Sequence, residues 1–178
     1  MKQKSLVLMG SIALVLALVL PVSVAAQQRP ERREGRLSLG ADIGAQLATA
    51  DSTAFALAFN GDYFLSHNLS IGPLIQIGLT SDLFQFGPSA QLKYTLDVDQ
   101  RLKANLQGGI GFIYAELERG GPDRDDTSFL IPVGPGIEYR LTDDISLAGT
   151  LLFNFTNLTD VRDENFFVSL LGGLRVRF

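Results

Sequence analysis

The stretch Phe84-Gln85-Phe86-Gly87-Pro88-Ser89-Ala90-Gln91-Leu92-Lys93-Tyr94-Thr95-Leu96 changes character at every step. Its even positions are Phe, Phe, Pro, Ala, Leu, Tyr and Leu; its odd positions are Gln, Gly, Ser, Gln, Lys and Thr. Successive side chains of an extended strand point to opposite faces, so this segment presents one wholly apolar face and one polar face.

The same period of two recurs along the chain. Eight segments alternate in this way: 36–47, 54–65, 69–80, 83–96, 101–114, 129–141, 145–156 and 166–178. Three connections are short (Ser66-His67-Asn68, Asp97 to Gln100, Thr142-Asp143-Asp144), and two of those between them are long and charged (Ala115 to Ser128, Asn157 to Asn165). A weak repeat marks the short turns: Tyr63-Phe64-Leu65, Tyr94-Thr95-Leu96 and Tyr139-Arg140-Leu141. Eight strands joined as hairpins predict an antiparallel up-and-down meander.

The two faces decide what surrounds it. One face, from Leu37, Leu39 and Ala41 through to Val176 and Phe178, carries only aliphatic residues, Phe, Tyr, Gly and Pro. Every charged residue inside the segments (Arg36, Asp42, Asp62, Lys93, Arg101, Lys103, Glu138, Arg140, Arg175 and Arg177) falls on the other. A soluble barrel with its apolar face inward also alternates. Eight strands, however, enclose only enough space for side chains to fill, and so many Leu, Ile and Phe residues do not fit inside together. The apolar face therefore points outward into lipid. A closed barrel satisfies every backbone hydrogen bond within a bilayer, and a tilted strand needs about ten residues to cross the apolar band. The fold class predicted is all-β: a transmembrane, eight-stranded, antiparallel up-and-down β-barrel over residues 36–178.

The remaining sequence agrees with export. Residues 1–26 read as a cleaved signal peptide: Lys2 and Lys4, an apolar run from Leu6 to Leu20, Pro21, then Val24-Ala25-Ala26. Residues 27–35, with Arg29, Glu31, Arg32, Arg33 and Glu34, read as a flexible polar leader. Losing Lys2 and Lys4 takes the formal net charge from -4 to -6, which excludes the basic excess of a nucleic-acid binder. The 178-residue chain has one His and no Cys, leaving little for a metal or haem site, and no cofactor is expected.

All four tyrosines (Tyr63, Tyr94, Tyr114 and Tyr139) sit on the apolar face near strand ends, as an aromatic girdle at lipid headgroups would. The chain ends Gly173-Leu174-Arg175-Val176-Arg177-Phe178. In these features it resembles the bacterial outer-membrane β-barrel family typified by OmpA and OmpX, here without a C-terminal peptidoglycan-binding domain. Gly172 stands where that family usually has a polar residue. The resemblance implies a bacterial outer-membrane location, contact with outer-membrane lipid and lipopolysaccharide, short turns toward the periplasm, and an assembly signal in Gly173, Val176 and Phe178 read by the barrel-assembly machinery.

The luminal charges Arg36, Asp62, Lys93, Arg101, Lys103, Glu138, Arg140, Arg175 and Arg177 concentrate toward the short-turn end. They predict a salt-bridged plug in preference to an anion-attracting pore, since the bore is narrow. Glu138, paired with Lys103 or Arg140, is the expected hub. The outer loops are acidic: Asp51, Asp82, Glu116, Glu118, Asp123, Asp125, Asp126, Asp160, Asp163 and Glu164 against Arg119, Arg124 and Arg162. That composition suits a structural or surface-interaction role, with an unidentified extracellular partner. No enzyme is predicted: His67 lies in a short turn, remote from lipid A, and reads as a turn residue. Pro73, Pro88 and Pro135 sit inside strands of a sheet without edges and find no explanation in the sequence.

Overall fold

A computed structural model describes residues 33–49, 52–117, 124–158 and 164–178. The signal-peptide reading of residues 1–26 lies outside them, as does most of the leader. Eight strands, β1 (Leu37–Thr49), β2 (Ser52–Phe64), β3 (Leu69–Leu79), β4 (Leu83–Asp97), β5 (Leu102–Leu117), β6 (Arg124–Arg140), β7 (Ile145–Leu158) and β8 (Glu164–Arg177), pair antiparallel in sequence order. β1 also pairs with β8, closing the barrel and leaving no edge.

The short connections 65–68, 98–101 and 141–144 share one end, the turn end, with the start of β1 and the finish of β8. There Phe178 N–H donates to the Leu37 carbonyl at 2.9 Å, so the last residue seals the seam. The other four connections lie at the loop end. They are shorter than the charge pattern suggests. β5 runs on to Leu117 and β6 begins at Arg124, with Tyr114 opposite Thr127, Ala115 opposite Asp126 and Glu116 opposite Asp125. Beyond the apolar band water solvates such side chains, so charge is no obstacle to backbone pairing, and much of the expected 115–128 loop is a protruding hairpin.

The two faces separate as the alternation requires. Leu39, Ile43, Phe59, Leu92, Ile110, Ile137, Leu147 and Leu170 are exposed on the outside, whereas Asp42, Asp62, Lys93, Lys103, Arg175 and Arg177 are buried within. Near the loop end of β1, Ala48 takes a positive φ of 61° and the register shifts between Leu47 and Thr49, a β-bulge at the strand's last turn.

Pro73, Pro88 and Pro135 each border a gap in one ladder of the barrel. Pro73 stays paired with Ala90 of β4, but the β2–β3 ladder is interrupted opposite it between Asn60–Leu74 and Tyr63–Ile71. Pro88 keeps Ile75 of β3 and interrupts β4–β5; Pro135 keeps Leu106 of β5 and interrupts β6–β7. Each proline thus gives up pairing on one side only, and register resumes unchanged. At two of these gaps the preceding glycine is required sterically. A Cβ on Gly72 would collide with the Gly61 carbonyl, and one on Gly134 with the Leu151 carbonyl. The Gly-Pro pairs mark places where neighbouring strands press together, as the corners of a small barrel demand.

Candidate functional site in the barrel lumen

The inward side chains form three tiers. Toward the turn end lie ion pairs. Arg175 donates to both oxygens of Asp42, at 2.6 and 2.9 Å, and Asn60 donates to Asp42 Oδ2 at 3.0 Å. Lys93 Nζ donates to Asp62 Oδ2 at 2.6 Å, and Ser70 Oγ reaches the other oxygen at 3.4 Å. Arg177 pairs with Glu138 and donates to Ser146 Oγ at 3.0 Å. The last two pairs share a construction: each joins strands two apart, and the strand between them carries a serine (Ser70 or Ser146) over which the long side chains meet.

That construction gives Glu138 a partner on β8 in addition to the neighbours the sequence suggests. Lys103 stands directly opposite Glu138 in the β5–β6 register, and Glu138 also forms an ion pair across β7 with Arg177 on β8. Small Ala148 and Ser146 on β7 leave that route open. Arg36 and Arg101 also depart from the luminal cluster: both precede their strands and are exposed at the rim. Arg101 and Arg140, with Gln100, Leu141, Thr142 and Asp143, line a recess of about 210 Å³ between turns.

Midway along the bore, Gln76 Nε2 donates to Asn154 Oδ1, Asn154 Nδ2 to Ser169 Oγ, and Ser169 Oγ to Gln76 Oε1, each at 2.9 Å. This closed ring joins β3 to β7 and β8 across the barrel. Truncating Asn154 to alanine removes two of its three bonds and strands the amide of Gln76. The expected loss is ~1–3 kcal/mol, measurable as a lower urea midpoint of the folded protein in lipid vesicles.

Toward the loop end the lumen is largely apolar, with Gln46, Gln85 and Thr156 buried beside aliphatic side chains. Leu83, Ile113, Ala115, Leu117, Leu130, Leu158 and Phe167 form a buried cluster there, and Ala56, Ala58, Leu74, Leu152 and Leu171 form a second at the level of the hydrogen-bonded ring. Sequence reasoning missed this tier by treating the inward face as polar and small. Its signal was present, because Leu83, Ile113, Leu130 and Phe167 all occupy inward parity at the loop ends of their segments.

Tyr63, Tyr94 and Tyr139 are exposed on the outer face at the turn end, and Tyr114 is half-buried at the loop end, its hydroxyl 3.4 Å from Glu116 Oε2. Val176 and Phe178 point outward. Gly173 faces inward, where a Cβ would collide with Asp42 and the Ala41 carbonyl.

His67 is more than a turn residue. Its Nε2 lies 2.8 Å from Asp97 Oδ2, linking the β2–β3 turn to the end of β4, and Asp97 also receives the guanidinium of Arg33. The two nearest serines in sequence are engaged elsewhere: Ser66 Oγ accepts the Leu69 N–H at 3.2 Å, and Ser70 is turned into the lumen toward Asp62. Among the described residues, no group of three or more His, Asp or Glu side chains is gathered as a metal would need.

Residues 12–171 match the family model described as the outer membrane protein beta-barrel domain. Among solved structures, the chain is similar to Neisserial surface protein A, with a TM-score of 0.68 at 18% identity, covering 82% of this chain and 98% of that one. The N-terminal β-barrel domain of Pseudomonas aeruginosa OprF gives 0.64 at 11% identity, covering 83% and 100%. The attachment invasion locus protein Ail of Yersinia pestis gives 0.56 at 11%, covering 82% and 99%. No curated protein matches the chain.

Proposed function

The chain belongs to the outer membrane β-barrel family, a family of the bacterial outer membrane, and from that premise we propose that it is a closed, non-enzymatic barrel whose function is exercised by its acidic loops at the cell surface. The observation that carries the reading is the occupied bore. A tier of buried ion pairs, a hydrogen-bonded ring and an apolar layer follow one another along it. Charge buried with its partners and apolar side chains in mutual contact both resist entry of hydrated ions.

In this reading residues 1–26 are removed on export, the turn end faces the periplasm and the loop end faces outward. Tyr63, Tyr94 and Tyr139 anchor one headgroup layer and Tyr114 the other. Gly173, Val176 and Phe178 serve the barrel-assembly machinery during insertion.

The loops suit a cationic partner, including divalent ions that bridge lipopolysaccharide phosphates. Glu116 and Asp125 face each other on the protruding hairpin, which supports this reading and speaks against polyanions. A solved structure of Ail holds a heparin analogue, sucrose octasulfate; the acidic loops here oppose such a ligand by simple repulsion.

Conductance of the refolded protein in planar bilayers tests the closed bore. No stable single-channel steps are expected. Regular anion-selective steps would instead establish the narrow pore with a basic lumen. In lipopolysaccharide vesicles, Mg²⁺ is expected to raise the melting temperature of the folded protein, and a Glu116→Gln/Asp125→Asn variant is expected to lose part of that gain. An equal gain in the variant would remove the hairpin from the interaction.

A further inference from the structure

Residues 33–36 are held against the barrel. Arg33, a residue of the polar segment before β1, is only 2% exposed. The backbone that puts it there is well specified. Gly35 adopts a positive φ of 78°, which favours glycine, and Arg36 N–H closes a tight turn onto the Arg33 carbonyl at 3.0 Å. Gly35 N–H donates to the Phe64 carbonyl at 2.9 Å and Phe64 N–H to the Arg36 carbonyl at 3.1 Å, so the β1–β2 ladder continues into this turn.

From there the Arg33 guanidinium reaches Asp97 at the end of β4. β1 and β4 are three strands apart in a ring of eight, so the side chain crosses the mouth of the bore from one wall toward the other. Asp97 offers one oxygen to Arg33 and the other to His67 Nε2, which ties the receiving wall to the β2–β3 turn.

What lies deeper is polar and enclosed. Lys103 is 1% exposed, and Arg177 and Lys93 are buried as well. Beyond Lys93 the buried amide of Gln91 has no protein hydrogen-bond partner for either its oxygen or its nitrogen. Asn60 Oδ1 and Asn105 Oδ1 are buried in the same condition. Polar atoms of this kind are satisfied by internal water. Toward the loop end lies the apolar cluster around Phe167 and Leu130.

We infer that Asp97, held by His67, is a guanidinium site at the turn-end mouth, that the chain fills it in cis with Arg33, and that residues 33–36 are thereby a strap closing the turn-end mouth of a polar chamber. Released, the strap gives the chamber access to solvent from the turn end and leaves Asp97 free to receive an arginine side chain from another polypeptide. The inference holds whichever way the barrel is oriented in its membrane.

The chain contains no Cys, so single introduced thiols report access directly. Gln91→Cys places one in the chamber, flanked in register by Gly72 and Gly109. Thr156→Cys places another at a buried position on the loop-end side. Full-length protein with the N-terminal segment from residue 27, folded in lipid vesicles, is treated with the water-soluble anionic reagent sulfonatoethyl methanethiosulfonate. The Gln91→Cys thiol is expected to react slowly with Arg33 present and at least about tenfold faster in Arg33→Ala, as removal of a local closing contact requires. Asp97→Asn, which keeps Arg33 and removes its acceptor charge, is expected to do the same. Thr156→Cys should stay protected in every background. Equal Gln91→Cys rates with and without Arg33 would overturn the strap, and so would parallel acceleration at Thr156→Cys, which would signal general loosening. If Arg33→Ala does not fold, the Asp97→Asn comparison decides alone.

Discussion

Replacing Asp42 with alanine is expected to destabilise the folded barrel by ~3–5 kcal/mol, the range for removing one partner of a buried ion pair. Arg175 makes both of its short bonds to this carboxylate, at 2.6 and 2.9 Å, and the two side chains are only 6% and 2% exposed. Asn60 loses an acceptor at the same time. The guanidinium left behind cannot swing into lipid, because the wall of the barrel stands between, and it can reach water only by opening the lumen. The complementary variant separates loss of attraction from cost of burial. Asp42→Val combined with Arg175→Met removes both charges, and it is expected to recover most of the loss, since an apolar pair has no desolvation penalty. Urea unfolding from lipid vesicles reads both. An Asp42→Ala midpoint equal to that of the parent protein would mean that the lumen is wet enough at this level to solvate Arg175, and the closed-bore reading would lose its firmest pair.

The strands, their number and the side each residue faces were legible because lipid tolerates no charge, so one misplaced Lys or Glu would have broken the pattern at Lys93 or Glu138. What the lumen does with its charges was not legible. Pairing there depends on reach over an intervening strand, and nothing in the residues around Glu138 indicates that Ser146 and Ala148 leave the path to Arg177 open while Lys103 stands opposite. The apolar tier was readable from Leu83, Ile113, Leu130 and Phe167 had inward parity been followed to the loop ends. Arg33 was hidden for another reason: its neighbours Arg32 and Glu34 make a solvated run, and only the left-handed turn at Gly35 reveals that the chain doubles back. Charged Glu116, Asp125 and Asp126 likewise disguised a hairpin as a loop. The Gly-Pro pairs needed the register itself, since a proline that loses pairing on one side and keeps it on the other leaves parity untouched.

The outer face supports the second large effect. Ile110 stands near the middle of β5, between the level of Tyr94, which lies opposite Leu106, and that of Tyr114, and at 69% exposed it exceeds every other large apolar residue among the described strand residues. Arginine at this position must either carry its guanidinium into hydrocarbon or bend it toward a headgroup layer half a membrane away. The expected cost of Ile110→Arg is ~2–4 kcal/mol, the range at the bilayer midplane. Leu141, in the turn after β6, is also exposed and apolar, but its distance from the midplane makes Leu141→Arg cost only ~0–1 kcal/mol. The contrast carries the argument. A barrel in water would place both residues in the same solvent, and both arginines would then be harmless or even favourable. Only a low-dielectric layer centred on Ile110 makes the penalty depend on depth. Unfolding from lipid vesicles should therefore rank Ile110→Arg well below Leu141→Arg and Ile110→Ala in stability, and equal midpoints for the two arginine variants would take the apolar face out of the bilayer.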